Sequence, residues 1–421
     1  MTPAIFTAIF LITLFATVVL RLWLLHRHLS HIAAHRAAVP LDFANAITLA
    51  EHQKAADYVT AKGKLGRLEI FLDVAVLLVF TLGGGLQFFA TQLQTVVGAG
   101  YWHGIALFAL VSVVGFLLSL PFDLYRTFRI EADFGFNKIT PKLWLLDLLK
   151  GTGLAIALGV PLLLTVFWLM DVMGERWWIY VWLVWMGFNL LALFLFPTVI
   201  APLFNKFTPL QDEALKTRIE ALLTRCGFTT SGLFVMDGSR RSSHGNAYFS
   251  GFGRAKRIVF FDTLLERLTP PEIDAVLAHE LGHFRHKHIV KRILFMAIAS
   301  LALLWLLAQL MTQSWFFLGL GISPVGVGDT PLALLLFTLV MPVFMFLLSP
   351  LSAAVSRRHE FQADAYAASH ASANELISAL VKLYRDNAST LTPDPLHSLF
   401  YDSHPPAATR IAHLRTHLRN A

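Results

Sequence analysis

The chain has 421 residues, 56% of them hydrophobic and only 14% charged, with a positive mean hydropathy. A soluble domain of average composition carries roughly twice that charged fraction, so the composition excludes a wholly aqueous protein. The formal net charge of +7 does not point to nucleic acid: no arginine-rich tract or basic strand interleaved with aromatics occurs, and the excess lies beside apolar runs, where membrane topology accounts for it.

Apolar runs long enough to cross a bilayer lie near 3–25, 68–90, 103–122, 152–170, 177–200, 292–313 and 331–352, which predicts seven spans. The first run lacks a basic n-region, and Arg21 and Arg27 come at its end or after it, so it reads as a span with its N-terminus outside and not as a signal peptide. The loops agree. Segments 26–67, 123–150, 201–291 and 353–421 hold nearly all the Lys and Arg, whereas 91–102 and 314–330 hold none and 171–176 only Arg176. Seven spans with the N-terminus out put the four basic segments on the cytosolic side. The expected division is 1–200 (five spans and their loops), 201–291 (a polar insert), 292–352 (two spans) and 353–421 (a C-terminal segment). The one cysteine, Cys226, excludes an intrachain disulfide and sits on an amphipathic stretch as a buried, inert thiol. His26, His28, His31 and His35 read as a solvated interfacial stretch, and Trp177, Trp178, Trp182 and Trp185 as a belt at the membrane surface.

Within the insert, Leu233–Met236, Asn246–Phe249 and Arg257–Phe261 read as short strands separated by Gly- and Ser-rich turns. A helix follows: Thr269-Pro270-Pro271-Glu272 is a start signal, and Ile273, Val276, Leu277 and Leu281 recur at helical spacing. On it lies the most informative motif, His279-Glu280-Leu281-Gly282-His283. The two histidines are one turn apart on one face, so both imidazoles can reach one Zn²⁺, and Glu280 is placed to act as general base on a water without binding the metal.

A catalytic zinc takes three protein ligands and leaves a position open. His286 and His288 are near, but His286 falls on the wrong part of the next turn. Glu360 is the better candidate. If the zinc helix runs on through Lys291-Arg292 into the sixth span, the sixth and seventh spans form an antiparallel pair. His283 then lies before the membrane boundary and Glu360 after it, each at roughly 12 Å on the same side. Asp364, one turn past Glu360, can accept the other ring N–H of a ligating histidine. Surface ion pairs with Arg357 and Arg358 are the alternative reading of both acids. In Ser403-His404-Pro405-Pro406 and the following helix to Arg410, a donor for a developing oxyanion and a mere helix cap fit the residues equally.

Together these segments resemble the integral-membrane zinc metalloproteases of the type 1 CAAX prenyl endopeptidase family. The likeness rests on Thr127–Glu131 with Gly135–Lys138, on Ala201–Leu210, on Asp237–Ser242 and on Asn246–Gly251. Arg257–Val259, Phe261–Leu264, the zinc motif, Glu360–Asp364 and His404–Pro406 complete it, in order. The resemblance implies an all-α polytopic membrane protein, seven transmembrane helices around a water-filled chamber, plus a small α+β zinc-metalloprotease domain on the cytosolic side. It implies Zn²⁺ on His279, His283 and Glu360, with Glu280, His404 and Arg410 as catalytic residues. Extended substrate would add to the edge strand Asn246, Ala247, Tyr248 and Phe249 by backbone hydrogen bonds, which read no side chain. The partners implied are peptide or protein substrates, prenylated ones included, and the lipid bilayer. The C-terminal Leu418-Arg419-Asn420-Ala421 carries no endoplasmic-reticulum retrieval signal, and the short tail and compact loops suggest a bacterial inner membrane, the endoplasmic reticulum being the alternative.

Two other functions compete. One is a quality-control protease with the same chemistry on misfolded or membrane proteins. The other is a channel, transporter or lipid-handling protein with a structural metal, kept open by Asp147, Asp171 and Asn189. A structural zinc would have four protein ligands and no adjacent base, so Glu280 argues against the latter.

Overall fold

The computed structural model describes residues 1–250, 255–323 and 329–419; Gly251 of the edge-strand motif and Asn420-Ala421 of the tail lie outside the described residues. The N-terminal half is helical: α1 (Pro3–His35), α2 (Leu49–Phe80), α3 (Gly85–Val97), α4 (Tyr101–Tyr125), α5 (Pro141–Val172) and α6 (Trp177–Leu195). Threonine starts three of them. The Thr2 and Thr140 side chains accept from the third helical N–H ahead of a proline at the first position, and Thr48 shares a reciprocal cap with Glu51.

Among the described residues six helical stretches are long and apolar enough to cross a membrane: Pro3–His35, Tyr101–Asp133, Pro141–Val172, Gly174–Phe204, His288–Leu310 and Thr330–His370. The expected run at 68–90 is the exception. It is broken at Thr81–Gly84, where Gly84 takes φ +75°, and α2 carries Lys64, Arg67, Glu69 and Asp73 in the two turns and more before its apolar end. Two of those charges pair with neighbours. Asp73 lies 3.7 Å from Arg21 of α1, and Glu69 pairs with Arg126 just past α4. Arg21, Glu69, Asp73, Ser119, His397 and Tyr401 line a 340 Å³ cavity between these helices.

The insert folds as β1 (Phe207–Pro209), α7 (Glu213–Arg225), β2 (Thr229–Met236), β3 (Ala247–Ser250) and β4 (Ala255–Phe261). The sheet order is β1-β2-β4-β3; β2 and β4 run parallel, and β3 lies antiparallel to β4 at the edge. Strand β1 and the parallel pairing were not foreseen, because three residues ending in proline carry no periodicity. Then come α8 (Pro270–Arg285), α9 (His288–Leu310), α10 (Thr330–Met345), α11 (Ser349–His370), α12 (Ala373–Asp386), α13 (Pro395–Tyr401) and α14 (Ala407–Arg419).

Two apolar cores organise the molecule. One joins α1, α3–α6, α9 and α10 through residues such as Phe10, Leu107, Phe316 and Leu332. The other joins the sheet to α7, α8, α11 and α12 through Ile219, Phe260, Leu277, Leu281, Ala367 and Leu376. A smaller cluster packs Phe43 and Ile47 of the first loop against Val381, Leu391 and Ile411, so the loop after α1 clamps α14.

Three expectations are corrected here. The zinc helix does not continue into the next span: α8 ends at Arg285, Lys287 takes the left-handed conformation (φ 56°), and α9 starts at His288. His28 is not solvated; it is buried, with its ring stacked 3.9 Å from that of His397. Trp177 is likewise buried in the membrane core and not part of an outer belt.

Candidate active site

The first turn of α8 is fixed by a buried acid. Glu272 accepts the Thr269 backbone N–H at 2.7 Å and also holds Ser378 Oγ (2.6 Å) and Lys382 Nζ (2.7 Å) of α12. Burial alone would raise its pKa, but the bonds from Lys382, Ser378 and Thr269 bring it below the usual carboxylate value. One helix face farther on, Gly282 meets α11. A Cβ there would lie 2.9 Å from Ala363 Cα and 3.2 Å from the Ala363 carbonyl oxygen, so only glycine admits this approach.

That approach carries Glu360 to the two histidines. Glu360 Oε2 lies 3.4 Å from His279 Nε2, Glu360 Oε1 lies 3.4 Å from His283 Nε2, and the two Nε2 atoms are 3.2 Å apart. The opposite ring nitrogens are engaged: His279 Nδ1 with Asp364 Oδ1 at 2.8 Å, and His283 Nδ1 with His288 Nδ1 at 3.0 Å. With both rings neutral and their protons on Nδ1, as ligation requires, two Nε2 lone pairs would face one another beside a carboxylate. Glu360 Oε2 is moreover buried without a hydrogen-bond partner. Three electron-rich atoms facing one space fit a divalent cation, and two imidazoles with one carboxylate suit zinc.

Burial would lower the His279 pKa, but its bonds to Asp364 and Glu360 raise it to about 9. Burial, and the charge on His279, push His283 down to about 3. Burial also pushes the Glu280 carboxyl up, partly offset by His279.

The structure separates the two C-terminal candidates. His404 is exposed (62%), with Nε2 3.5 Å from Glu360 Oε1 and Nδ1 3.0 Å from Ser403 Oγ. Its approach is held by Arg357, which donates to the carbonyls of Ser398, Leu399 and Asp402. Arg410 is buried at 6% exposure. Its guanidinium donates to Asp364 at 2.5 and 2.9 Å, and its third nitrogen lies 3.7 Å from Glu360 Oε2. The edge strand runs beside the metal helix: the Phe249 ring lies 6.0 Å from that of Phe284, next to His283. Ala247, Tyr248 and Phe249 pair with Phe260, Val259 and Ile258 on one side only, and Asn246 just ahead accepts the Phe261 N–H.

Residues 28–206 match the CAAX prenyl protease N-terminal region with five membrane helices, and residues 209–418 match peptidase family M48. CAAX prenyl protease 1 of Saccharomyces cerevisiae is 38% identical over 325 residues, covering 74% of this chain and 72% of the relative. The chain belongs to the M48 CAAX prenyl protease family. It is a multi-pass membrane metalloprotease. Among its M48 relatives, the Arabidopsis thaliana homolog is 40% identical over 314 residues (73% and 72% covered), and the Homo sapiens homolog 33% over 347 (73% and 72%). The crystal structure of S. mikatae Ste24p superposes with a TM-score of 0.90 at 32% identity, covering 97% of this chain and 99% of that one. These M48 relatives are eukaryotic, which weighs against the expected bacterial inner membrane.

The sequence reading weighed His288 only as a possible third ligand and gave Gln362 no role. His288 is five residues past His283, on the wrong face of a continuous helix; the left-handed Lys287 turns it back. A positively charged residue in that conformation leaves no trace in composition or periodicity.

Proposed function

We propose that this protein is a zinc endopeptidase that cleaves peptide bonds near the C-terminus of CAAX-type, prenylated substrates. The observation that carries the reading is the convergence of His279 Nε2, His283 Nε2 and an unpartnered Glu360 oxygen next to Glu280. His279, His283 and Glu360 would hold the metal, which supplies a Lewis acid to polarise a carbonyl and acidify water. Glu280 accepts the proton of the attacking water and returns it to the leaving amine. His404, exposed at the mouth, donates to the developing oxyanion. Asp364 and Arg410 orient His279 and Glu360. Substrate lies along the free edge of β3, with Asn246, Ala247, Tyr248 and Phe249 providing main-chain partners.

We read the apolar end of α2, excluded from the six long apolar stretches by its charges, as a seventh span. The Lys and Arg distribution supports an outside N-terminus and a cytosolic catalytic side. Because backbone pairing on β3 reads no side chain, broader cleavage of misfolded or membrane proteins is the second reading.

The test uses purified protein with matched farnesylated and unprenylated CAAX peptides, and Glu280→Gln and a chelator as controls. Prenyl-dependent cleavage that the chelator stops is expected. Equal cleavage of both peptides favours the general protease. Undiminished turnover by Glu280→Gln, with zinc bound, refutes the assignment of the base.

A further inference from the structure

We infer that His288 is a positioning residue for the metal site: it accepts the Nδ1 proton of His283 and is itself fixed by Gln362. The atoms force the direction of each bond. For His283 to present a lone pair at Nε2, its ring proton must sit on Nδ1, and that N–H points at His288 Nδ1, 3.0 Å away. His288 Nδ1 must then be bare, so its own proton is on Nε2. There it meets Gln362 Oε1 at 2.8 Å, an acceptor. The chain of bonds runs without conflict from the metal seat through two rings to an amide on α11.

The surroundings hold His288 in that role. It is 2% exposed, and its ring is stacked between His359 (3.9 Å, interplanar 14°) and His286 (5.5 Å, 14°). Its position depends on the left-handed Lys287, which ends α8 and begins α9 at His288 itself. The helix break between protease helix and membrane span is therefore a built part of the site. The two histidine ligands end up with unlike supports: His279 leans on the carboxylate of Asp364, His283 on a neutral imidazole. An anionic acceptor strengthens a ligand more than a neutral one, and such outer partners are commonly worth about 10–100-fold in metal affinity.

This inference rests on His283 being a ligand, so zinc binding by His283→Ala is measured alongside; loss there secures the premise independently. The experiment itself compares zinc affinity, by competition with a chromophoric chelator, for the full-length protein carrying His288→Asn, His288→Gln or His288→Phe, together with the melting temperature of each metal-free protein. Asn places an acceptor where Nδ1 was; Gln reaches only toward Gln362; Phe fills the slot between the stacked rings. Zinc affinity should fall about 10–100-fold in Phe and Gln and stay near wild type in Asn. Gln362→Met, which lets His288 move its proton to Nδ1, should weaken zinc by a smaller factor. Native affinity in His288→Phe, an equal loss in all three, or a ranking that follows side-chain volume and metal-free melting overturns the proposal.

Discussion

Asp364→Asn is the most informative single substitution, because one carboxylate serves two partners that the change affects differently. Asp364 is fully buried. Its Oδ1 receives both the His279 Nδ1–H at 2.8 Å and an Arg410 N–H at 2.5 Å, while Oδ2 receives the Arg410 Nε–H at 2.9 Å. An asparagine keeps one acceptor and sets an amide donor against a donor on the other side. It also leaves the guanidinium, 7% exposed, with Glu360 as its remaining acid at 3.7 Å. Removing one member of a buried pair costs about 3–5 kcal/mol, and losing an anionic support on a ligand imidazole about 10–100-fold in metal affinity. The double variant Asp364→Asn/Arg410→Met removes the stranded charge as well. It should recover much of the stability and none of the metal affinity. Melting in detergent, with and without zinc, and chelator competition read the two effects separately. Wild-type melting and wild-type affinity in Asp364→Asn would refute this account of the site; recovery of both in the double variant would refute the division of roles.

Gly282→Ala should destabilise by about 1–3 kcal/mol and lower zinc affinity, since the new methyl meets backbone of α11 and the only relief is to move Glu360 away; melting and chelator competition read both. Zinc affinity should rise by about one decade per pH unit up to about pH 9 and level off above, because His279 keeps its proton below that value in the metal-free site and must lose it to ligate. Calorimetry in two buffers of different ionisation enthalpy should count about one proton released at pH 7, with none from His283, which is already neutral there. Glu272→Gln should cost about 2 kcal/mol at pH 7. The folded pKa of Glu272 is depressed, so its contribution is full above the unfolded value near 4.3 and is lost as pH falls through the folded one; the variant and wild type should melt alike in acid.

What the sequence disclosed and what it hid follow from how local each signal is. The start of α8 was legible because a threonine, two prolines and a glutamate at fixed offsets dictate a first turn. The spacing of His279 and His283 was legible because helical geometry is invariant. Glu360 could be reached only through the membrane hairpin, which converts a long sequence separation into a short distance. The burial of Arg410 was not legible: the same residues fit an exposed donor, and what decides is the clamp of Phe43 and Ile47 on α14, a contact between the two ends of the chain. The break in the run at 68–90 was not legible. Hydropathy averages over a window, whereas three glycines at 83–85 end a helix at a point, and the partners of Asp73 and Glu69, Arg21 and Arg126, are tertiary contacts that no window average contains.

The site draws on residues that leave the ribosome far apart in time. His279 and Arg410 are separated by 131 positions, which at about 5–20 residues per second is roughly 7–26 s of synthesis. Throughout that interval the two imidazoles exist without the carboxylate on the far arm of the hairpin, and then with Asp364 but without its guanidinium. On the proposed roles of these residues, a nascent chain would be proteolytically silent until α9 and α10 have been made and α14 has folded back onto the first loop. Hydrolytic competence would then certify finished assembly, and a stalled or truncated product would be unable to cut its neighbours while it waits in the membrane.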